Sequence, residues 1–188
     1  MIGHKGNLFI FRAMKYLCYL ACIFVGTLSA QTMGQTEWQE KWDNSRDYSL
    51  ELLESIPEDS LDFSPTPDQM TIREQFQHLA GNMYGLSRRF IGYQPNDHDQ
   101  DAVNAILKDA KLDKASLAEA VTNGYAYASA AMASYTEKEF EEEVSFFAGP
   151  KSRRQVFWVL QDHATHHRAQ VIVYARLLKI KPPRYRGW

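Results

Sequence analysis

The residues of this 188-residue chain with the clearest chemical potential are its histidines. His163 and His167 are four residues apart in a stretch that predicts a helix, so their imidazoles lie one turn apart on one face. Five further residues, mostly apolar, lie within about 60° of this face at 100° per residue: Val156, Leu160, Gln170, Tyr174 and Leu177. Buried polar groups need partners, and one divalent metal ion would satisfy both rings. Two ordinary histidines, bonded to neighbouring groups or to water, are the alternative at this spacing.

His78 is the third candidate ligand, in the middle of another predicted helix. It lies beside Gln75 and Asn82 on the polar flank of that helix's apolar stripe. This position suits a ligand that faces a cleft between helices, although an exposed helix histidine shows the same pattern. His166 points about 100° away from the direction of His163 and His167. We therefore interpret it as a residue at the rim of the site rather than a ligand.

Spacing excludes several well-known metal sites. The metalloprotease motif HExxH needs a glutamate directly after its first histidine, and Ala164 stands in that position. A ferritin-like di-iron centre needs two Glu-x-x-His motifs, but Glu74 lies four residues before His78, and no acid lies three before His163. Both cysteines fall within the first 30 residues, so the rest of the chain has no thiolate ligand and no disulfide. The pattern therefore favours a mononuclear, nitrogen-rich site.

The first 30 residues are typical of a secretory signal peptide. Residues 17–28 form an apolar run too short to span a bilayer comfortably, with Lys15 before it and the small Ser29 and Ala30 after it. We predict cleavage after Ala30, and therefore export to the periplasm or the exterior, with no stable membrane span in the mature chain. Translation from Met14 would also give a compact signal, and an uncleaved N-terminal anchor is the alternative.

The charge of the chain argues against one class of partner. The first 30 residues contain three basic and no acidic side chains, so residues 31–188 carry 18 basic and 23 acidic ones. Affinity for nucleic acid rests largely on neutralisation of phosphates by lysine and arginine, so we expect no nucleic-acid partner. The length of residues 31–188 is that of one ordinary domain.

Four long helices must position the histidines. Apolar residues recur at steps of three and four in four stretches, and no sustained alternation of period two indicates a strand. Three Ser/Thr-x-x-Glu/Gln capping boxes predict helix starts at Thr71, Ser116 and Ser152. The first helix is predicted over residues 37–56, the second ends before Gly92, the fourth ends near residue 178, and a short helix is predicted near residues 102–108. The predicted fold class is an all-α four-helix bundle.

At this point the sequence resembles the DinB-like family of metal-binding four-helix bundles, over residues 37–185. The most specific match is the stretch DHATHHRAQ at residues 162–170, followed by YARLL at 174–178 and IKPP at 180–183. Upstream matches are LLESIP at residues 52–57, LDFSP at 61–65, TIRE at 71–74 and QHL at 77–79. The chain departs from the family pattern at Asp162, where asparagine is usual, and at Ala169, where glycine is usual.

The resemblance implies a DinB/YfiT-like metalloenzyme fold and a set of ligands. In this family the metal is held by one histidine of the second helix and by the HxxxH pair of the fourth. The corresponding residues of this chain are His78, His163 and His167. The family includes transferases and isomerases that depend on low-molecular-weight thiols. Such thiols are reduced in the cytosol, so the predicted export conflicts with thiol transfer.

We therefore predict a metal-dependent enzyme that activates water or a thiol, as a hydrolase or a transferase, on a small-molecule substrate. One divalent ion, zinc or nickel, is the expected cofactor, although imidazole also suits copper and iron. His166, Gln170, Tyr174 and Glu74 are expected around the metal or facing substrate, and Glu74 is the group that could close the coordination shell. The alternative is a non-catalytic metal-binding or structural bundle. Such a bundle could form a homodimer through a surface that carries Trp38 or Trp158.

Overall fold

The computed structural model describes residues 34–188, and the predicted signal peptide lies outside the described residues. Four long helices dominate, as the sequence predicts: α1 Gln35–Ser55, α2 Ile72–Leu86, α4 Lys114–Ala133 and α6 Arg153–Leu177. The shorter elements are the 3₁₀ turn Glu58–Ser60, the π-helical turn Ser87–Ile91, α3 Gln100–Lys108, α5 Glu137–Phe140, and the strands β1 Glu143–Val144 and β2 Lys151–Ser152. None of the helices within this range is both long enough and apolar enough to cross a bilayer.

The long helices form a four-helix bundle in which α1 and α2 each pack against both α4 and α6. The predicted stripe of α1 is buried along its whole length, from Trp38 to Ile56. Trp42 lies at the centre, 4.5 Å from the ring centroid of Tyr125, and its Nε1 donates a hydrogen bond to the Tyr125 carbonyl at 3.1 Å. Trp38 stacks on Trp42 and is 4% exposed, so it offers no surface to a second copy of the chain.

Two of the three predicted capping boxes are present. Thr71 caps α2 together with Glu74, and Ser152 caps α6 together with Gln155. The box predicted at Ser116 is wrong, because α4 begins one turn earlier. There the Asp113 carboxylate accepts a hydrogen bond from the Ser116 backbone N–H, and aspartate is a strong N-cap residue.

The segment between α4 and α6 contains structure that the sequence did not predict. α5 is a single turn with its own capping box, and β1 pairs with β2 in an antiparallel ladder of two residues per strand. The acidic run at residues 141–143 is exposed, and Glu141 and Glu142 are ion-paired, with Arg154 and Arg153 respectively. These pairs hold the hairpin against the start of α6.

α2 and α6 are the helices that position the candidate site. α2 continues through the π-helical turn to Gly92, which ends it with a φ of 89°, a conformation that glycine adopts at little cost. The core face of α6 is buried at Val156, Leu160 and Tyr174, but Leu177, predicted on the same face, is 53% exposed. Leu177 is the last residue of the helix, beyond the point at which the buried face ends.

Candidate metal centre

The three histidines that the sequence singled out as ligands lie together between α2 and α6. The Nε2 atom of His163 is 3.2 Å from Nε2 of His78 and 3.0 Å from Nε2 of His167. One ligand atom from each residue lies within 4.8 Å of the other two. Two nitrogens bound at tetrahedral angles to one zinc ion are about 3.3 Å apart, given zinc–nitrogen distances of about 2.0–2.1 Å. The spacing of the cluster therefore fits a common ion.

The orientation of His167 is fixed by Gln75 from α2. His167 Nδ1 lies 2.6 Å from Gln75 Oε1, and an amide oxygen can only accept, so Nδ1 carries the hydrogen. The neutral ring then presents a bare lone pair on Nε2 to the other two histidines. A histidine that donates its second N–H to a protein oxygen is the usual arrangement in metal sites.

Asn82, one turn further along α2, contacts the candidate ligand atom of His78 itself. The Asn82 Nδ2 atom lies 3.0 Å from His78 Nε2 and donates to it, so this nitrogen is also an acceptor. Without an ion, Asn82 satisfies the lone pair of His78, and a hydrogen on His163 Nε2 satisfies that of His167. The close approach of three Nε2 atoms is the observation in favour of a metal, because a bound ion would accept all three lone pairs and displace Asn82 from His78.

All three rings are neutral at pH 7. Burial, followed by the charges of the neighbouring histidines, lowers the pKa of His167 to about 3 and that of His163 to about 4. Desolvation by the packed rings, followed by the charge of His166, also lowers the pKa of His78. Because a metal binds the neutral form of imidazole, the ligands need not lose protons at neutral pH before they bind.

The cluster is buried at one end and open at the other. His167 is buried, His163 is half-buried and His78 is exposed. Glu74, the residue that could have closed the shell, is not part of the cluster: its carboxylate accepts a hydrogen bond from the Thr71 backbone N–H at 2.7 Å. Within residues 34–188 the cluster contains no carboxylate.

The remaining predicted site residues form a chain of hydrogen bonds beside the histidines. Gln75 Nε2 donates to Gln170 Oε1 at 2.6 Å, and Gln170 Nε2 donates to His166 Nε2 at 2.6 Å. The buried Tyr174 hydroxyl lies 3.4 Å from Gln75 Nε2. His166 is exposed and its Nε2 is taken up by Gln170, so it lies at the edge of the site, outside the cluster.

Gln75 is the functional residue whose role the sequence reasoning missed. The sequence pattern identifies Gln75 only as a neighbour of His78. In the structure its side chain is 2% exposed and is hydrogen-bonded to His167 and Gln170 of α6. The signal that could have found it is a buried glutamine one turn before a candidate ligand, since such a side chain must find polar partners.

Arg168 anchors α6 behind the histidines. Its guanidinium is buried and donates to the Ser45 hydroxyl at 2.7 Å and to the Ser45 carbonyl at 3.3 Å, and it lies 4.9 Å from the Tyr48 ring. No ion pair with a carboxylate is found for Arg168 in the described part of the chain. These contacts with α1 fix the rotation of α6 at the residue next to His167.

Comparisons with known proteins agree with this architecture. A DinB-like protein from Bacillus cereus ATCC 10987 is 17% identical, with a TM-score of 0.67 over 80% of this chain and 97% of that one. The DinB-like protein YjoA from Bacillus subtilis is 16% identical, with a TM-score of 0.61 over 81% of this chain and 99% of that one.

A third similar structure is that of YfiT from Bacillus subtilis, described as a probable metal-dependent hydrolase with an unusual four-helix bundle topology. It is 16% identical, with a TM-score of 0.63 over 81% of this chain and 92% of that one. No curated protein sequence matches the chain. The sequence model of the DinB superfamily matches residues 41–171, well over half of the chain. The chain belongs to the DinB superfamily.

Proposed function

We propose that this protein is a metal-dependent hydrolase in which His78, His163 and His167 hold one divalent ion. The observation that carries the proposal is the convergence of three Nε2 atoms at 3.0 and 3.2 Å, with the His167 lone pair directed into the cluster by the hydrogen bond from its Nδ1 to Gln75. Zinc and nickel are the ions we propose, because the ligand set is all imidazole.

The charge and openness of the cluster favour catalysis over a structural role. Three neutral imidazoles leave the full charge of a divalent ion in place, and an ion so held acts as a Lewis acid that makes water more acidic. A structural site usually has four protein ligands. This cluster has three, and its exposed His78 leaves one side accessible to a small substrate.

Water is the proposed nucleophile rather than a thiol. The predicted export of the chain would remove it from the cytosolic pool of reduced thiols. The description of YfiT as a probable metal-dependent hydrolase supports the same choice, since the two chains share the fold. On this proposal the hydrogen-bond chain through Gln75, Gln170 and His166 orients the buried ligand and connects it to the surface.

Titration of the metal-free protein with cobalt(II) tests the proposal, because the visible spectrum of cobalt reports its coordination. We expect one ion per chain, and a spectrum that changes when thiocyanate is added, as an open position requires. His163→Ala and His167→Ala should each abolish most of the binding. His166→Ala is the matched control on the same helix and should retain it.

Hydrolysis of p-nitrophenyl acetate by the zinc-loaded protein is the second measurement. We expect turnover that a chelator removes and that is lost in His163→Ala. Equal cobalt binding in all three histidine variants would refute the ligand assignment. A bound ion whose spectrum does not respond to thiocyanate, with no turnover, would instead favour the structural bundle.

A further inference from the structure

A groove of about 470 Å³ runs along the exposed side of α2, beside α3, and we call it the α2 groove. His78 lines it, so the groove is continuous with the candidate metal centre. Its volume is within the range of about 300–1,000 Å³ that is typical of small-molecule sites. Its polar groups are unevenly distributed, and this distribution indicates what it binds.

The two ends of the α2 groove differ in charge. Glu74 and His78 lie at one end, and Arg89 with Phe90 lies at the other. Arg89 lies 11 positions after His78, which corresponds to about 16 Å along a helix. A ligand that reaches both ends must therefore be elongated.

Arg89 is an exposed cation with no ion pair to a carboxylate within residues 34–188. Arg73 is paired with Asp62 and Arg153 with Glu142, whereas Arg168 and Arg176, like Arg89, have no ion pair to a carboxylate within these residues. The Arg89 guanidinium instead lies 5.2 Å from the ring centroid of Phe90. A guanidinium offers a planar set of donors that matches a carboxylate or a phosphate, and here that set faces the end of the groove.

Apolar side chains lie at the Arg89 end: Phe90 lines the groove there, and Phe146 and Phe147 pack against Phe90 without lining the groove themselves. The Phe90 ring lies 4.8 Å from that of Phe146 and 6.0 Å from that of Phe147, measured between centroids, and Phe147 is 76% exposed. Leu107 of α3 lines the groove between the two ends. The groove therefore presents an apolar wall beside a cation, which suits an amphiphilic molecule.

Gly85 keeps the α2 groove open. A Cβ at this position would meet no other atom within 4 Å, whereas a Cβ at Gly124 would lie 3.2 Å from the Ala80 carbonyl and one at Gly81 would lie 3.3 Å from Leu107. Close packing thus explains Gly81 and Gly124 but not Gly85. Gly85 lines the groove, so a large side chain at this position would occupy part of its open space.

We propose that the α2 groove binds the substrate, an elongated small molecule with an apolar body and a terminal oxyanion that pairs with Arg89. Its scissile group lies at the His78 end. The position of the scissile group rests on the hydrolase function proposed above, whereas the binding of an apolar anion does not. The carboxylate of Glu74 at the histidine end repels the anion and so sets the direction in which the ligand lies.

The test measures binding by calorimetry to the metal-free protein, so that it does not depend on a working metal centre. The probes are octanoate and octyl phosphate, which differ in the oxyanion, and octanamide, which has the same chain without a charge. We expect both anions to bind at least tenfold more tightly than octanamide. Tighter binding of octanoate identifies a carboxylate site and tighter binding of octyl phosphate a phosphate site. Equal affinities identify a site that accepts either oxyanion.

Four variants locate the site. Arg89→Gln should weaken the anions at least tenfold and leave octanamide unchanged, and Gly85→Leu should abolish binding of all three probes. Arg176→Gln, a change of another exposed arginine, should have no effect. Gly85→Ala places only a methyl group in open space, so its unchanged or raised melting temperature shows that position 85 tolerates a side chain.

The outcomes separate this proposal from the hydrolase proposal. Failure of all three probes to bind, or equal anion binding by wild type, Arg89→Gln and Gly85→Leu, would overturn the α2 groove as a ligand site. Groove binding in a protein that takes up no metal would leave the groove proposal standing and overturn the hydrolase. We expect the cobalt content of Arg89→Gln and Gly85→Leu to match that of the wild type.

Discussion

Replacement of Gln75 by leucine removes the acceptor that fixes His167. Gln75 Oε1 is the hydrogen-bond partner of His167 Nδ1, at 2.6 Å, and both residues are buried. Without it the Nδ1–H loses its partner, and the tautomer with hydrogen on Nε2, which cannot bind a metal, becomes competitive. Loss of such an outer partner typically costs 10–100-fold in metal affinity, which corresponds to about 1.4–2.7 kcal/mol.

The assay is competition of Gln75→Leu and wild type for zinc against a chromophoric chelator at pH 7.5. Gln77→Leu is the matched control: Gln77 is also a buried glutamine of α2, but its side chain donates to the Asp109 carbonyl at 2.7 Å and has no hydrogen bond to the three histidines. We expect Gln77→Leu to lower the melting temperature and to leave the zinc affinity unchanged. Wild-type zinc affinity in Gln75→Leu would refute the role assigned to this hydrogen bond.

Three further predictions concern stability and processing. Burial lowers the pKa of His163 to about 4 and that of His167 to about 3, from 6.5, so the unfolded chain binds more protons below pH 6.5. The free energy of unfolding of the metal-free protein should therefore be highest above pH 6.5 and should fall as the pH drops towards the folded pKa values of the two histidines. Urea unfolding at several pH values measures this, and a midpoint that does not change with pH would contradict it. Gly124→Leu should destabilise the bundle by about 1–3 kcal/mol, because its Cβ would lie 3.2 Å from the α2 backbone. An unchanged melting temperature would contradict this, since it would show that the two helices can move apart without cost. Mass spectrometry of the protein from its native cells should find an N-terminus at or near Gln31, whereas an intact first methionine on cytosolic protein would contradict export.

The sequence predicts the four long helices because the evidence for them is local. The buried stripe of α1 and the capping boxes at Thr71 and Ser152 each depend on residues within a turn or two of one another. The family pattern adds that His78 of one helix meets the pair on another. The short hairpin has two residues per strand and so cannot show a period, and Asp113 competes with Ser116 for a cap that either residue type could provide.

The polar contacts between helices are not predictable in this way. Gln75 and Gln170 become partners only because α2 and α6 pack face to face with one particular rotation. The same holds for Arg168, whose buried guanidinium is bonded to Ser45 of α1. Periodicity indicates which face of each helix is buried, but it does not indicate which side chains of two buried faces meet.

The structure of the zinc-loaded protein at atomic resolution would show whether the three histidines hold one ion and leave it an open position. We predict one zinc ion bound by Nε2 of His78, His163 and His167, with water or a small anion as the fourth ligand. Absence of zinc from this cluster, or a shell closed by the Glu74 carboxylate with no solvent ligand, would contradict the account.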